Sequence, residues 1–361
     1  MYMLFEIDAR QMERAFIRTL EKKGGFKTAQ GRSNIYLGRT RSAILFKTNQ
    51  GVKSLVIYRT KLRQAIQYAF YTRIVIRKDL ERFSRFSSAL LGILQVIFDG
   101  MAKLVKTSTG LLRLMLLGLR YFFAGVDRAV RDLEIAAISG AKFVLMSYAH
   151  IRKRKAWRKH VLRLGLKILL DSGAFTVWKS IQSGKTVDPI LVKDYGDFIE
   201  RNLDVLYAWF NLDVVGDAEA SKKNAEYLND RGLPCIEVWH IQNDLKELEK
   251  LVAKDLPVIA IGGSVGVGEP IREAVFQQVF SRFPNQAFHF LGGSGRLLFT
   301  FPWFSADGTG WLAGRKYGVI MHRNGQRKAP SDWNAEQCLM YNVQHFLDLE
   351  RKDVSPELLL Y

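Results

Sequence analysis

The chain has 361 residues, 48% apolar and 25% charged, the balance of a globular protein with a sizeable core. Its two cysteines, Cys235 and Cys338, lie far apart, which excludes a disulfide framework and a Cys-rich metal site and points to a reducing, cytoplasmic setting. The net charge of +19 is uneven: residues 1–160 carry 32 Lys/Arg against 10 Asp/Glu, and residues 161–361 carry 22 against 25. A basic half joined to a nearly neutral half implies a polyanion-binding surface attached to something else, because each neutralised phosphate releases counterions.

In chain order, Glu6, Asp8 and Arg10 interrupt any secretory signal. Residues 9–22 read as a short amphipathic helix. The run "SAILFKTNQGVKSLVIY" (42–58) reads as a hairpin turning at Asn49-Gln50-Gly51. Residues 61–135 read as helices with apolar residues at helical spacing and Arg/Lys opposite them. Their longest uncharged run, Phe86–Phe98, is 13 residues, too short for a bilayer that needs about 20, so no membrane span is expected. Aromatics among the cations (Tyr58, Tyr68, Phe70, Tyr71, Phe83, Phe86) are either core or platforms for stacked bases. The rhythm changes near Ile138-Ser139-Gly140. We therefore expect a basic α+β nucleic-acid-binding domain over 1–137 and a second domain over 138–361.

In that second domain short apolar runs alternate with helical segments. The runs are 143–150, 167–175, 206–214, 235–242, 258–264, 288–293, 300–308 and 317–323. Asp244 suits a helix cap and Pro270 a first turn. Strand–helix alternation argues for a parallel sheet, and eight strand candidates argue for an α/β fold of the (β/α)8 TIM-like barrel type, closed off by a C-terminal helix. Catalytic groups of such barrels sit at the C-terminal strand ends, where Asp171, Asp213, His240, Gln242, Gly262, Gly263 and Asp307 fall.

Each of these positions has a plainer reading. Asp171 in "LLDSGAFTVW" is either a turn residue or a carboxylate placed over a reaction centre. Asp307 in "SADGTG" is either a turn residue or the partner of Asp171 in a two-carboxylate glycosyl transfer. Asp213 either recognises ligand N–H groups or caps the helix near Asp217. His240 is either a satisfied barrel histidine or a site residue. "IGGSVGVGE" (261–269) and the Gly292-Gly293 turn in "HFLGGSG" let backbone approach a flat ligand, but their spacing is wrong for a dinucleotide fingerprint. No HExxH, CxxC or clustered His/Asp spacing suggests a metal. The cationic run "HIRKRKAWRKH" (150–160) places Arg152, Lys153, Arg154, Lys155 and Arg158 around Trp157. It is either a solvated surface or a phosphate clamp with a stacking ring.

These stretches together resemble the queuine-type tRNA-guanine transglycosylase superfamily. "LLDSGAFTVW" resembles its "DSGGFQ", "WFNLDVVGD" its strand ending in a base-recognising Asp, "IEVWHIQND" its Gln-bearing strand, and "IAIGGSVGVGE" its "GGLAVGE" turn. "HFLGGSG…FSADGTGW" sits where the family has a Gly turn followed by the nucleophilic Asp. Order and spacing agree over residues 143–320. The family's CxCxxC-plus-His zinc site is missing, Ala174 stands for a Gly and Thr176 for a Gln. These departures are similar to the DNA-directed branch, which inserts 7-deazaguanines into the DNA of phages and bacteria.

The resemblance implies that Asp307 attacks C1′ of deoxyguanosine and that Asp171 is the general acid/base. It implies that Asp213 binds the base edge, with Gln242, Gly262 and Gly263 helping to seat it. Ser172, Gly173, Phe175, His240, Gly292 and Gly293 would line the same base pocket. The partners implied are DNA (alternatively tRNA), guanine and a 7-deazaguanine such as 7-cyano-7-deazaguanine. No cofactor is implied, because the exchange conserves one glycosidic bond. The target base would have to leave the stack, and an accessory protein or a homodimer stays open. The rival readings are a tRNA-modifying enzyme, a non-catalytic nucleic-acid-binding barrel and a glycoside hydrolase.

Overall fold

The computed structural model describes residues 7–48, 54–107, 109–154, 156–214, 216–293, 295–322 and 325–351. The chain divides into two compact units, Met1–Leu117 and Gly118–Tyr361. Unit 1 carries 22 Lys/Arg against 7 Asp/Glu, so most of the net +19 resides there.

Unit 1 is α+β. Its elements are α1 (Ala9–Lys23), β1 (Gly25–Lys27), β2 (Ser33–Arg39), β3 (Ala43–Thr48), β4 (Ser54–Tyr58), α2 (Arg59–Thr72), β5 (Ile74–Ile76), α3 (Arg77–Leu80), α4 (Ser87–Ile97), β6 (Ala102–Lys106) and β7 (Leu112–Leu116). The chain enters α1 through Asp8, whose carboxylate accepts from the N–H groups of Arg10 and Gln11. It leaves through Gly24, which takes the left-handed conformation that a C-terminal cap requires. Strands β1 to β4 pair antiparallel in sequence order, and β5, β7 and β6 form a second small sheet. Phe16, Ile17 and Leu20 of α1 bury one stripe of the helix against Phe26, Phe46, Leu62 and Ile66. Each such side chain contributes about 1.5–3 kcal/mol when fully withdrawn from water. The expected hairpin is present as β3 and β4; its turn at Asn49-Gln50-Gly51 lies outside the described residues.

Unit 2 alternates strand and helix. It runs β8 (Arg120–Phe123), α5 (Val130–Ile138), β9 (Phe143–Ser147), α6 (Tyr148–Ile151), α7 (Trp157–Leu164), β10 (Lys167–Asp171), α8 (Ala174–Gln182), α9 (Val192–Arg201), β11 (Leu206–Trp209), α10 (Ala218–Asp230), β12 (Glu237–His240), α11 (Leu245–Ala253), β13 (Val258–Gly262), α12 (Glu269–Arg282), β14 (Ala287–Phe290), α13 (Leu297–Thr300), β15 (Ser305–Gly308), α14 (Ala313–Tyr317), β16 (Val319–His322), β17 (Gly325–Lys328) and α15 (Ala335–Arg351). Eight parallel strands form one sheet in the order β11-β10-β9-β8-β15-β14-β13-β12. Its two outer strands meet where Phe210 bridges Ile236, and the N–H of Asn211 reaches the Ile236 carbonyl at 2.9 Å. The sheet thus curls back on itself as in a TIM-like barrel, and every C-terminal strand end faces one mouth.

Three expectations are corrected here. The first barrel strand is β8, not the 143–150 run; "RYFF" lies within a segment read as helical. A short, fully buried strand has no alternation to betray it, and all four residues of β8 are buried. The run at 317–323 is not a barrel strand: β16 pairs antiparallel with β17 outside the barrel. The division falls after Leu117, not at 137, because β8 and α5 belong with the barrel. Asp244 and Asp217 cap α11 and α10 through their side chains, and Pro270 sits in the first turn of α12. Among the described residues no helix is long and apolar enough to cross a membrane.

Candidate active site

Asp171 is the last residue of β10, in register with Ser147 of β9. It is at once a turn residue and a strand-end carboxylate. Its Oδ2 accepts from the Gly173 N–H at 3.0 Å, and the Ser172 hydroxyl accepts from the Ala174 N–H at 3.3 Å. Gly173 has φ +79°, and a Cβ there would lie 2.4 Å from the Ala149 Cβ and 2.6 Å from the Ser147 hydroxyl. Only glycine permits this corner, so Gly173 fixes where the Asp171 carboxyl points.

Asp307 lies in β15 and is buried. Its Oδ1 accepts from the Gly292 N–H at 3.2 Å and contacts His289 Nε2 at 3.1 Å. His289 is fully buried and its Nδ1 is 2.8 Å from the Ser305 hydroxyl. The tautomer with Nε2–H donating to Asp307 and Nδ1 accepting from Ser305 satisfies all three groups. The imidazole is wedged between the rings of Phe122 and Phe210, which holds its plane. Oδ2 of Asp307 makes no hydrogen bond among the described residues.

The charge of Asp307 acts on Asp171. The Asp171 carboxyl is pushed up to about 7, first by burial and then by the negative charge of Asp307, with a smaller push from Asp213. The Gly173 N–H, which donates to Oδ2 of Asp171, and the nearby Ser147 hydroxyl pull the other way and are outweighed. A carboxyl that keeps its proton up to about 7 can serve as an acid, with the carboxyl of Asp307 available as a nucleophile.

Asp213, beyond the end of β11, is not the helix cap; that role belongs to Asp217. Burial raises the Asp213 carboxyl, and His240, at the end of β12, opposes this with Nε2 3.3 Å from Oδ2. Asn211 also donates to it, at 3.4 Å. Gly262 faces the His240 imidazole so closely that a Cβ would lie 3.2 Å from Nδ1. Gln242 is exposed and spends its amide N–H on the Gly263 carbonyl at 2.6 Å, leaving Oε1 as an acceptor beside a glycine with φ +72°. A Cβ on Gly293 would meet the Phe290 ring at 2.5 Å. Phe175 and Trp178 stack on each other at 5.8 Å on α8, a helix with no buried residue, and both rings are exposed.

The cationic segment is engaged differently from an open phosphate clamp. Arg152 donates to the carbonyls of Asp188 and Pro189, Lys153 pairs with Asp188 at 2.5 Å, and Arg154 donates to the Asp127 carbonyl at 2.6 Å. Arg158 grips Asp204 with two hydrogen bonds of 3.0 and 2.8 Å, and Trp157 packs on Phe198. Lys155 lies outside the described residues. The charge run ties loops of unit 2 together, which a sequence cannot show because each acceptor is remote in the chain.

Sequence reasoning passed over His289, which reads as one apolar-strand residue among others. It also passed over Asp127 and His150. Asp127 Oδ2 accepts from the Ser147 N–H at 3.2 Å and contacts His150 Nδ1 at 2.8 Å, bracing the strand end that faces Asp171. With β8 taken for a helix, nothing marked Asp127 as a strand-end residue. Among the described residues no three His, Cys, Asp or Glu side chains cluster to hold a metal ion.

No family model matches the sequence, and no curated protein matches it. Two solved structures are similar in part. One, from a structural study of a protein of Aquifex aeolicus VF5, has 8% identity and a TM-score of 0.39, covering 65% of this chain and 93% of that one. The other, an enolase protein from environmental shotgun sequencing of the Sargasso Sea, has 9% identity and a TM-score of 0.32, covering 80% and 87%. At these values neither carries an argument, and the barrel assignment rests on the strand order and its closing bridge.

Proposed function

We propose that the protein is a base-exchange transglycosylase that replaces guanine in DNA with a 7-deazaguanine. The observation that carries this reading is the pair at the barrel mouth: Asp171, raised to about 7 by burial and by the charge of Asp307, and Asp307 itself, held at Oδ1 by His289 and Gly292. In the proposed reaction Oδ2 of Asp307 attacks C1′ of the target nucleotide. The glycosidic bond breaks, and the departing guanine takes the Asp171 proton. The glycosyl–Asp307 ester then reacts with the incoming base, which returns a proton to Asp171 and displaces Asp307. One glycosidic bond is broken and one is made, so no energy source is needed.

The remaining residues have roles consistent with this. Asp213, with His240 behind it, offers acceptors to the N–H edge of a purine. Gly262, Gly263 and Gly293 let the backbone pack closely against His240, Gln242 and Phe290, which sets where these side chains stand at the strand ends. Unit 1, with its excess of cations, supplies attraction for a polyanionic substrate.

The test is incorporation of labelled guanine or 7-cyano-7-deazaguanine into duplex DNA and into tRNA, with nucleosides resolved by mass spectrometry. Wild type is expected to label DNA and to leave a protein–DNA adduct stable to denaturation. Asp307→Ala is expected to lose at least about 10³-fold in exchange and all adduct. Labelled tRNA with unlabelled DNA would replace DNA by tRNA. Full exchange by Asp307→Ala, or no exchange with either polymer, would overturn the reading.

A further inference from the structure

Four cations on α1 are set at four-residue intervals: Arg10, Arg14, Arg18 and Lys22. All four are exposed, and none has a side-chain hydrogen-bond or ion-pair partner among the described residues. At a rise of 1.5 Å per residue they stand about 6 Å apart along the helix, each on the face of its neighbour. Like charges so placed repel and weaken a helix. Arg10 also sits in the first turn, where the helix dipole disfavours a cation, and the nearest acid, Asp8, is engaged in capping backbone N–H groups.

The surroundings offer little relief, because most acids of unit 1 are used elsewhere. Asp8 caps α1. Glu13 is buried and pairs with Arg59 and Arg63. Glu21 reaches Arg39 at 3.5 Å, Asp79 accepts from the Ile76 N–H at 2.9 Å, and Glu81 pairs with Arg77 at 3.7 Å. None of these acids pairs with a rung of the ladder.

We propose that the Arg10–Arg14–Arg18–Lys22 face of α1 is a sequence-independent docking surface for a nucleic-acid phosphate backbone. The repulsion along the ladder turns into attraction when a row of phosphates replaces solvent counterions, and three of the four rungs are guanidinium groups, which match phosphate geometry. A membrane surface fits less well. An interfacial helix needs an apolar face to insert, and the apolar face of α1 (Phe16, Ile17, Leu20) is already buried in the core of unit 1. The proposal deepens the nucleic-acid half of the proposed function and rests on it for the identity of the polymer, but its test needs no turnover.

The experiment measures binding of a fluorescent 25-base-pair duplex to full-length protein across a salt titration. The variants are Arg10→Gln/Arg14→Gln/Arg18→Gln/Lys22→Gln and a control of equal charge change in unit 2, Lys193→Gln/Lys222→Gln/Lys223→Gln/Lys246→Gln. Each lost phosphate contact lowers the slope of log K against log salt by about 0.9. The ladder variant is therefore expected to lose about 2 to 4 from the slope and the control less than about 1, with circular dichroism and melting unchanged or improved for the ladder variant. Asp307→Ala should keep the wild-type slope, which separates a failure of docking from a failure of catalysis. An unchanged slope in the ladder variant, or an equal loss in the control, would overturn the proposal. So would anionic vesicles binding wild type as tightly as duplex does, with the ladder carrying that binding.

Discussion

Replacing Asp171 by Asn tests the electrostatics of the site without requiring a substrate. In the folded protein the Asp171 carboxyl is pushed up to about 7, against 3.8 for an unperturbed one. The unfolded chain therefore releases this proton at a lower pH than the folded chain does. Below the unfolded value both states hold the proton and the group has no effect on stability. As the pH rises toward about 7 the wild type loses stability, because ionisation is easier once the site is unfolded. At about 1.4 kcal/mol per pH unit, the interval from 3.8 to about 7 corresponds to about 4 kcal/mol. The substituted asparagine cannot ionise, yet its side-chain oxygen can still accept from the Gly173 N–H. The variant is thus expected to be progressively more stable than wild type between about pH 4 and 7, with the difference constant at higher pH.

Urea unfolding followed by tryptophan fluorescence reads this in the right place, since all seven tryptophans lie in unit 2. The urea midpoints of the two proteins should diverge with pH and then run parallel. A pH-independent difference, or one that narrows toward pH 7, would refute the coupled-carboxylate description. In the same assay Asp307→Asn should move the divergence to lower pH but not abolish it, because burial is the larger cause and the Asp307 charge the second.

Two further substitutions probe how the site is built. Gly173→Ala places a Cβ 2.4 Å from the Ala149 Cβ at a φ of +79°, so it should cost about 1–3 kcal/mol by urea unfolding and lower exchange along with stability; a neutral result would show the corner to be pliable. His289→Ala removes the imidazole that orients Asp307 and leaves a buried gap between Phe122 and Phe210. A loss of about 2–4 kcal/mol is expected, with a fall in the rate of adduct formation larger than any change in base affinity. Equal rates at saturating base would remove the positioning role.

How far the sequence reached can be judged residue by residue. The runs around Asp171, Asp213, His240, Gly262 and Gly292 were legible because each ends an apolar strand in punctuation that only a turn or a site explains. The caps at Asp217 and Asp244 and the hairpin over 42–58 were equally local, and local physics sufficed for them. β8 was not legible. A four-residue strand buried on both faces looks the same as a turn of core helix, and its neighbours "LLRLMLLG" supply apolar residues at every spacing. That miss displaced the assignment of the barrel strands by one, let β16 stand in for the eighth and placed the domain boundary at 137 instead of Leu117.

The sequence by itself determined the strand ends at Asp171, His240 and Gly262, the helix starts at Asp217 and Asp244, and that charge is concentrated toward the N-terminus, since these depend on near neighbours and on composition. Tertiary structure alone decided which strand ends converge. It set Asp307 beside His289 and close enough for its charge to act on Asp171, some 136 positions earlier in the chain. It also decided which cations are spent. Arg152, Arg154 and Arg158 found acceptors on distant loops, whereas the side chains of Arg10, Arg14, Arg18 and Lys22 found none among the described residues. The physical reason is that desolvation and Coulomb energy depend on distance in space, and a chain folded into a barrel brings together residues whose separation in sequence says nothing about that distance.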